Sequence, residues 1–290
     1  MRIVYHLGAH CTDEDRLVRC LLTNQAALAE QGIVVPSPLQ YRKLLRDTAV
    51  QLKGRPASVD MQALVLEQIM QQDSADRLIL SWDSFLSFPQ WALRGMIYPF
   101  AGERIRAFTH IFPEIGAEFH MALRNPATFL PALFEKQKVK AYAEFMEGTD
   151  PARLRWSDVI AQIRAQNPDA PLTIWCDEDT PLIWPEVLQA VSGHLPGTRL
   201  ADTDDLLTSI MAPDGLARMR NYMEGHPPEN PLQRRRIISA FLDKFALPDR
   251  VEMEFDLPGW TPALVDQMTA TYLDDLSLIA GMDGVTLISA

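Results

Sequence analysis

The sequence has few cysteines and no long apolar run. Its three cysteines, Cys11, Cys20 and Cys176, form no CxxC pair, and an odd number in this arrangement argues against a disulfide framework. We therefore expect reduced thiols. No apolar stretch has the length of a membrane-spanning helix, and charged residues follow the first apolar residues too closely for a signal peptide. These absences predict a soluble, cytoplasmic protein with no membrane span.

Positive charge is also scarce. The chain carries 27 Lys and Arg residues against 38 Asp and Glu residues, which gives a formal net charge of -11 at pH 7. A surface of this sign disfavours nonspecific binding to nucleic acid or to an anionic membrane. An anionic ligand would therefore need a local positive site. The composition leaves the oligomeric state open.

The sequence does contain enough apolar residues for one large core. Its 290 residues are 47% hydrophobic, which fits an α/β domain, with or without a helical extension. Apolar runs alternate with helical periodicity in the first half, and helices dominate afterwards. We expect one domain over residues 1–290, with a sheet-containing core at 1–200 and a helical extension at 201–290. The predicted strands are 2–7, 32–36, 77–81, 118–123 and 172–176, and helices are predicted over 61–69, after Pro89 and over 105–112.

The first corner between a strand and a helix has the frame of a phosphate-binding loop. Strand 2–7 continues through a small-residue loop into a helix predicted to begin at Asp13. A helix N-terminus presents unpaired N–H groups and a positive dipole end to an anion. However, Cys11 occupies the position where a phosphate loop needs a lysine. Thr12 and Asp15 also fit a capping box, so the corner is either a phosphate site or an ordinary capped helix.

The fourth predicted strand ends in a similar corner. Arg124 follows this strand, Asn125 is placed to cap the next helix, and Pro126 begins it. In an open α/β sheet both corners lie at the carboxyl edge of the strands, where ligands bind. Arg124 is therefore a candidate anion contact, and the alternative is a solvated or paired surface arginine.

Three other clusters have alternative explanations. His6 and His10 have no acidic partner at metal-ligand spacing, so we predict no metal site. The acids at 177–179 could attract a cation, but they are interpreted as a solvated loop before a helix that Thr180 caps. The basic run 234–236 could meet a phosphate or an acidic glycan, but it is interpreted as a solvated helix face.

Four segments follow one another in a characteristic order along nearly the whole chain. They are His6-Leu-Gly-Ala-His-Cys-Thr12, Leu80-Ser-Trp-Asp-Ser84, Phe119-His-Met-Ala-Leu-Arg-Asn-Pro126 and Tyr272-Leu-Asp-Asp-Leu-Ser-Leu-Ile-Ala-Gly281. This set resembles the nucleotide-dependent sulfotransferases, especially their bacterial carbohydrate-type members. The resemblance implies a three-layer P-loop-type α/β fold, a parallel sheet flanked by helices. It also implies that the protein binds 3'-phosphoadenosine-5'-phosphosulfate and transfers its sulfuryl group to a hydroxyl or amine.

The resemblance also implies a cofactor site. The residues that match the family's phosphosulfate loop are Gly8, Ala9, His10 and Thr12. Arg124 matches the arginine that holds the 3'-phosphate in the family. Cys11 stands in place of the loop lysine, and Ala132 stands where a serine would hold the 3'-phosphate. Arg16 lies about a helical turn beyond Cys11 and either supplies the missing positive charge or lies in solvent.

Sulfuryl transfer requires a base for the acceptor hydroxyl, a positive group for the leaving phosphate and alignment of the two. Asp83 is the first candidate base, because it matches an acidic position of some relatives and follows the third predicted strand. Its alternative role is a turn cap. His10 is the second candidate, since imidazole titrates near neutrality, and its alternative role is a hydrogen bond to the backbone.

Two functions are consistent with these residues. The first is sulfuryl transfer to a carbohydrate or small-molecule hydroxyl. The second is non-catalytic binding of a glycan, a nucleotide or a protein partner by the same fold. The acidic loop favours the second function, whereas Arg124 and the extent of the resemblance favour the first. The sequence leaves enzymatic activity open.

Overall fold

The computed structural model describes residues 1–70, 72, 74–138, 141–251 and 257–290. Its centre is a six-stranded sheet in which all paired strands are parallel. This arrangement confirms the predicted α/β class. The strands are β1 (Arg2–His6), β2 (Ile33–Val34), β3 (Arg77–Ser81), β4 (Gly116–Leu123), β5 (Leu172–Cys176) and β6 (Val285–Ile288). They are arranged in the order β2-β3-β1-β4-β5-β6, so β1 lies between β3 and β4.

Helices connect the strands and form most of the C-terminal third of the chain. The described ranges contain α1 (Arg16–Thr23), α2 (Gln25–Ala29), α3 (Pro38–Leu52), α4 (Val59–Ile69), α5 (Ala101–Thr109), α6 (Pro126–Glu135), α7 (Tyr142–Met146), α8 (Trp156–Gln166), α9 (Thr180–Ser192), α10 (Asp205–Ile210), α11 (Pro213–Gly225), α12 (Pro231–Phe245), α13 (Pro248–Val251) and α14 (Pro262–Ala280). Short 3-10 turns occupy Asp83–Phe85, Pro89–Trp91, Pro151–Arg153 and Asp177–Asp179. In these ranges every helix is too short or too polar to cross a lipid bilayer.

Apolar side chains on both faces of the sheet bind the helices to it. Successive side chains of a strand point to opposite faces. Ile3 and Tyr5 of β1 therefore pack on the face covered by α3–α8 and α14, and Val4 packs on the face covered by α1, α2 and α9. A smaller apolar cluster around Leu207 and Ile238 joins α10, α11 and α12.

The connections after β1 and β4 leave the sheet on opposite faces. Leu17 and Leu21 of α1 pack on the same face as Val4, whereas Phe129 and Leu130 of α6 pack on the other face. Because β1 and β4 are neighbours, their two loops diverge and leave a crevice between their carboxyl ends. In open α/β sheets ligands bind in such a crevice, so the fold places both predicted corners around one candidate site.

The structure differs from several of the predicted elements. Val285–Ile288 forms a sixth strand that pairs with β5, although the C-terminal segment was expected to be helical. Its four residues are too few to show the alternation of apolar and polar positions that identifies a strand. They form a strand because they pair with the edge of the sheet at β5. The helix predicted after Pro89 is only a 3-10 turn. The helix predicted over 105–112 begins earlier, at Ala101, and ends at Thr109.

Candidate functional site

The loop after β1 remains attached to β4 beyond the end of the strand. The backbone N–H of Ala122 donates to the carbonyl of Gly8 at 2.7 Å, and the N–H of Ala9 donates to the carbonyl of Ala122 at 3.2 Å. These bonds hold the loop against the strand that leads directly into Arg124. Gly8 and Arg124 therefore lie at the same edge of the sheet, as the sequence predicted.

Gly8 also brings the loop close to the end of β3. Its backbone has φ +86°, and a Cβ built on it would lie 3.1 Å from the Cα of Asp83. A side chain at this position would be strained by the φ angle and crowded by Asp83. Glycine therefore lets the first candidate base, Asp83, lie directly against the loop.

The N-terminus of α1 differs from the predicted capping box. The hydroxyl of Thr12 donates to the carbonyl of Ala9 at 2.8 Å, and Asp15 makes no capping bond. Instead, the carboxylate of Asp13 accepts the N–H of Leu17 at 2.9 Å. Helix α1 begins at Arg16 rather than Asp13 because residues 14 and 15 have the left-handed backbone, which cannot continue a right-handed helix.

Asp15 instead links the loop to α3. Its carboxylate forms a bidentate ion pair with Arg42. The same guanidinium also donates to the carbonyl of Ser81 at the end of β3. Burial raises the pKa of Asp15, but the hydrogen bond and the charge of Arg42 outweigh this effect and lower it overall. The ion pair stabilises the loop, and no local sequence pattern indicated Arg42.

Arg124 connects the two corners. Its Nε donates to the hydroxyl of Thr128 at 3.0 Å, and its guanidinium donates to the carbonyl of Cys11. The indole N–H of Trp156 in turn donates to the carbonyl of Arg124 at 2.8 Å. Arg124 is therefore a paired, half-buried residue that fixes the loop after β1 in place.

The N-terminus of α6 is capped as predicted, and a second carboxylate joins it. The side chain of Asn125 accepts the N–H of Ala127 at 3.0 Å. The backbone N–H of Asn125 donates to Glu178 at 2.7 Å, and the hydroxyl of Tyr272 in α14 donates to the same carboxylate at 3.2 Å. Both helix N-termini at the crevice thus have a protein carboxylate bound to one of their N–H groups.

A cavity of about 400 Å³ opens between the two corners. Three arginines line it, namely Arg16, Arg124 and Arg250. Arg16 does so while its Nε donates to Asp205 at 2.9 Å. The carboxyl groups of Asp13, Asp177 and Glu178 also line the cavity, so it mixes both signs of charge.

Asp177 is the least ordinary carboxyl group of this cavity. Burial raises its pKa to about 8, although the nearby Arg124 acts in the opposite direction. The interpretation of 177–179 as a solvated loop was therefore wrong for Asp177, which is half-buried in the wall. Its position after β5 was the available signal, because the carboxyl end of every parallel strand lies at the same edge.

Neither of the two candidate bases lines this cavity. His10 is fully buried. Its Nδ1 shares a 2.7 Å hydrogen bond with the hydroxyl of Tyr98, which also accepts the backbone N–H of His10. Burial lowers the pKa of His10 to about 4, the charge of Asp83 opposes this shift, and Lys136 reinforces it. His10 is therefore neutral near pH 7.

Lys136 is a positive group that the sequence did not indicate. It follows the last residue of α6, and its Nζ lies 3.8 Å from the carboxylate of Glu14 in the loop. Its charge acts on both His10 and Cys11. Lys136 thus stands near the position that lacks a loop lysine, and only the packing of α6 brings it there.

The other polar clusters have structural partners. Arg234 and Arg235 both donate to Glu186 of α9, at 2.8 and 3.0 Å, so the expected solvated face is wrong for these two residues. His6 and His120 are buried side by side on β1 and β4. The Nε2–H of His120 donates to the carboxylate of Glu118 at 2.7 Å, because the lowered pKa of Glu118 leaves this carboxylate without a proton.

No protein-family model, curated protein or solved structure matches this chain.

Proposed function

We propose that this protein is a sulfotransferase-like protein of the P-loop type, which uses 3'-phosphoadenosine-5'-phosphosulfate to transfer a sulfuryl group to a carbohydrate or small-molecule hydroxyl. The observation that carries the proposal is the bond between Arg124 and the carbonyl of Cys11. It joins the two corners that the resemblance assigns to the two ends of the cofactor.

The strand order supports the P-loop-type assignment. β1 lies inside the sheet, and a glycine-containing loop leads from it to α1 beside the diverging connection of β4. Phosphate groups bind at such corners because a helix N-terminus and a local positive charge meet there. The cavity of about 400 Å³ is also within the usual range for a small-molecule site.

The residues of the cavity suit an anionic cofactor. Arg16 and Arg124 would hold its phosphates together with Arg250, and the indole N–H of Trp184 at the cavity has no hydrogen-bond partner in the described part of the chain. When bound, the cofactor supplies a sulfuryl group on a phosphate leaving group. Asp83 would accept the proton of the acceptor hydroxyl at its carboxylate, and Lys136 would offset negative charge on the loop.

A second function, non-catalytic binding, is favoured by the two carboxylates at the helix N-termini. Asp13 binds the N–H of Leu17 and Glu178 binds that of Asn125. A charge of the same sign about 4 Å from a phosphate costs as much as about 4 kcal/mol near a protein surface. We therefore expect weak cofactor binding, and we retain binding of a glycan, a nucleotide or a protein partner as the second candidate function.

Calorimetric titration with 3',5'-adenosine bisphosphate tests the proposal. Arg124→Ala should weaken binding at least about tenfold, since a charged hydrogen bond contributes roughly 1.5–3 kcal/mol. Arg153→Ala is the matched control, because the Arg153 side chain is 86% exposed and lies outside the cavity lining. Absence of binding, or equal loss in both variants, contradicts the proposal.

Turnover separates the two functions. Sulfuryl transfer is supported if the wild-type protein releases adenosine bisphosphate from the cofactor. The Asp83→Asn variant should then keep cofactor binding but lose turnover. Binding without any turnover in the wild-type protein supports the non-catalytic function.

A further inference from the structure

The hydrogen-bond donors of the cavity between the two corners are mostly committed to the protein. The hydroxyls of Thr12, Thr128 and Thr180, which line it, each donate to a backbone carbonyl, at 2.8, 3.1 and 3.4 Å. A bound anion could use none of these donors unless an existing bond broke.

One donor of the wall is not committed. Trp184 of α9 lines the cavity and is 3% exposed. Its indole N–H is buried without a hydrogen-bond partner within the described ranges. Buried N–H groups are nearly always bonded, and leaving one unpaired costs about 1–3 kcal/mol. An acceptor atom on a ligand would satisfy it.

The carboxyl groups of the cavity are committed in the same way, with one exception. Asp13 accepts from Leu17, and Glu178 accepts from Asn125 and Tyr272. The side chain of Asp177 has neither a hydrogen bond nor an ion pair among the residues that the structure describes. It is thus the carboxyl group of this wall that can meet a ligand directly.

We propose that this cavity binds a tetrahedral oxyanion beside Arg124, with the indole N–H of Trp184 and a carboxylic O–H of Asp177 as donors. The inference rests on the proposed function in sharing its cavity and the residues Arg124 and Trp184. The proton stays on Asp177 and is donated to an oxygen of the anion, so no bond other than hydrogen bonds forms or breaks.

The charges around Asp177 fit this role. The groups that act on it are the guanidinium groups of Arg124 and Arg16 and the carboxylates of Glu178 and Asp13, and the thiol of Cys176 is its neighbour along the chain. Burial raises the pKa of Asp177 to about 8, so the carboxyl group keeps its proton at pH 7. An ionised Asp177 would repel the anion, so binding should require this proton.

Inorganic sulfate is a suitable probe, because its charge does not change between pH 7 and 9. Nitrogen-15 NMR of the tryptophan side chains reports binding, and Trp184→Phe assigns the Trp184 signal among the six tryptophans. We expect sulfate to shift the Trp184 indole signal, and we expect the dissociation constant to rise by about tenfold from pH 7 to pH 9, because one proton with a pKa of about 8 is needed.

Two variants complete the test. In Asp177→Asn, which keeps an N–H donor without a charge, the dissociation constant should not change from pH 7 to 9. The exposed Asp169→Asn is the matched control and should behave as wild type. An unshifted Trp184 signal, equal affinity at pH 7 and 9 in the wild type, or an unchanged pH dependence in Asp177→Asn overturns the inference.

The two proposals fail separately. Sulfate binding with this proton dependence, without any binding of adenosine bisphosphate, would support the oxyanion site and contradict the nucleotide function. Arg124-dependent binding of adenosine bisphosphate, with sulfate failing the tests above, would do the reverse.

Discussion

The guanidinium of Arg124 donates a hydrogen bond to the backbone carbonyl of Cys11, which ties the corner after β4 to the corner after β1. These residues are 113 positions apart in the chain. The parallel pairing of β1 with β4 brings them together, and the bond explains how a loop without a lysine keeps a defined shape.

Removing the charge of Asp13 should strengthen anion binding. In Asp13→Asn the side-chain oxygen can still accept the N–H of Leu17, so α1 keeps its cap while one negative charge leaves the cavity wall. We expect the affinity for adenosine bisphosphate to rise about tenfold at low salt, less at high salt. Calorimetry at two salt concentrations measures this effect. An equal affinity in both proteins would mean that Asp13 does not face the anion.

Asp275 should be one of the most important polar residues for stability. It is 3% exposed, and it accepts the backbone N–H groups of Trp156 and Ser157 at 2.7 and 3.0 Å, together with the Ser157 hydroxyl. Asp275→Ala leaves these buried donors unpaired and should lower the free energy of unfolding by about 3 kcal/mol. Urea unfolding measures the loss. The exposed neighbour Asp274→Ala is the control, and an equal effect of both changes would contradict the assignment.

The stability of the protein should decline below pH 4.5 partly because of Glu118. Burial raises its pKa, but hydrogen bonds from His120 and Arg77 prevail and lower it to about 2. A lowered carboxyl pKa gives stability that is present above the unfolded-state value and is lost as the pH falls through the folded-state value. Glu118→Gln should cost about 3 kcal/mol at pH 7 and much less near pH 2. Unfolding curves across this range check the prediction, which a constant difference would refute.

Asp177 should affect stability in the opposite sense. Its folded-state pKa of about 8 lies above the unfolded value, so the folded state holds an extra proton and loses stability as the pH rises from about 4 to 8. Asp177→Asn has no such dependence. The pKa difference corresponds to about 5 kcal/mol over this range, and solvent screening of the half-buried carboxyl reduces this value. We therefore expect the variant to gain about 1 to 3 kcal/mol over the wild type between pH 4.5 and 8.5. Thermal unfolding at both pH values measures the gain. A stability difference between variant and wild type that is the same at both pH values would contradict a buried carboxyl group at this position.

Local patterns predicted the parallel strands and the Asn125 cap because short apolar runs and capping residues act over a few positions. They failed at α1. Thr12 and Asp15 fit a capping box, but Asp15 pairs with Arg42 of α3, and a long-range ion pair has no signature in the local sequence. The position of Lys136 and the contact of Glu178 with the N-terminus of α6 were missed for the same reason, since the packing of α6 and the loop after β5 place them.

The sequence by itself determined the alternation of strands and helices, the two corners with Gly8 and Arg124, and the acidic character of the first loop. These features depend on residue type and short spacing, which act locally. The tertiary structure decided which charges meet. It placed Asp177 and Trp184 in the lining of one cavity, left Asp83 and His10 out of that lining, and brought a carboxylate to the N-termini of α1 and α6. Such contacts depend on the strand order and on helices covering opposite faces of the sheet, because these bring distant residues within hydrogen-bond range.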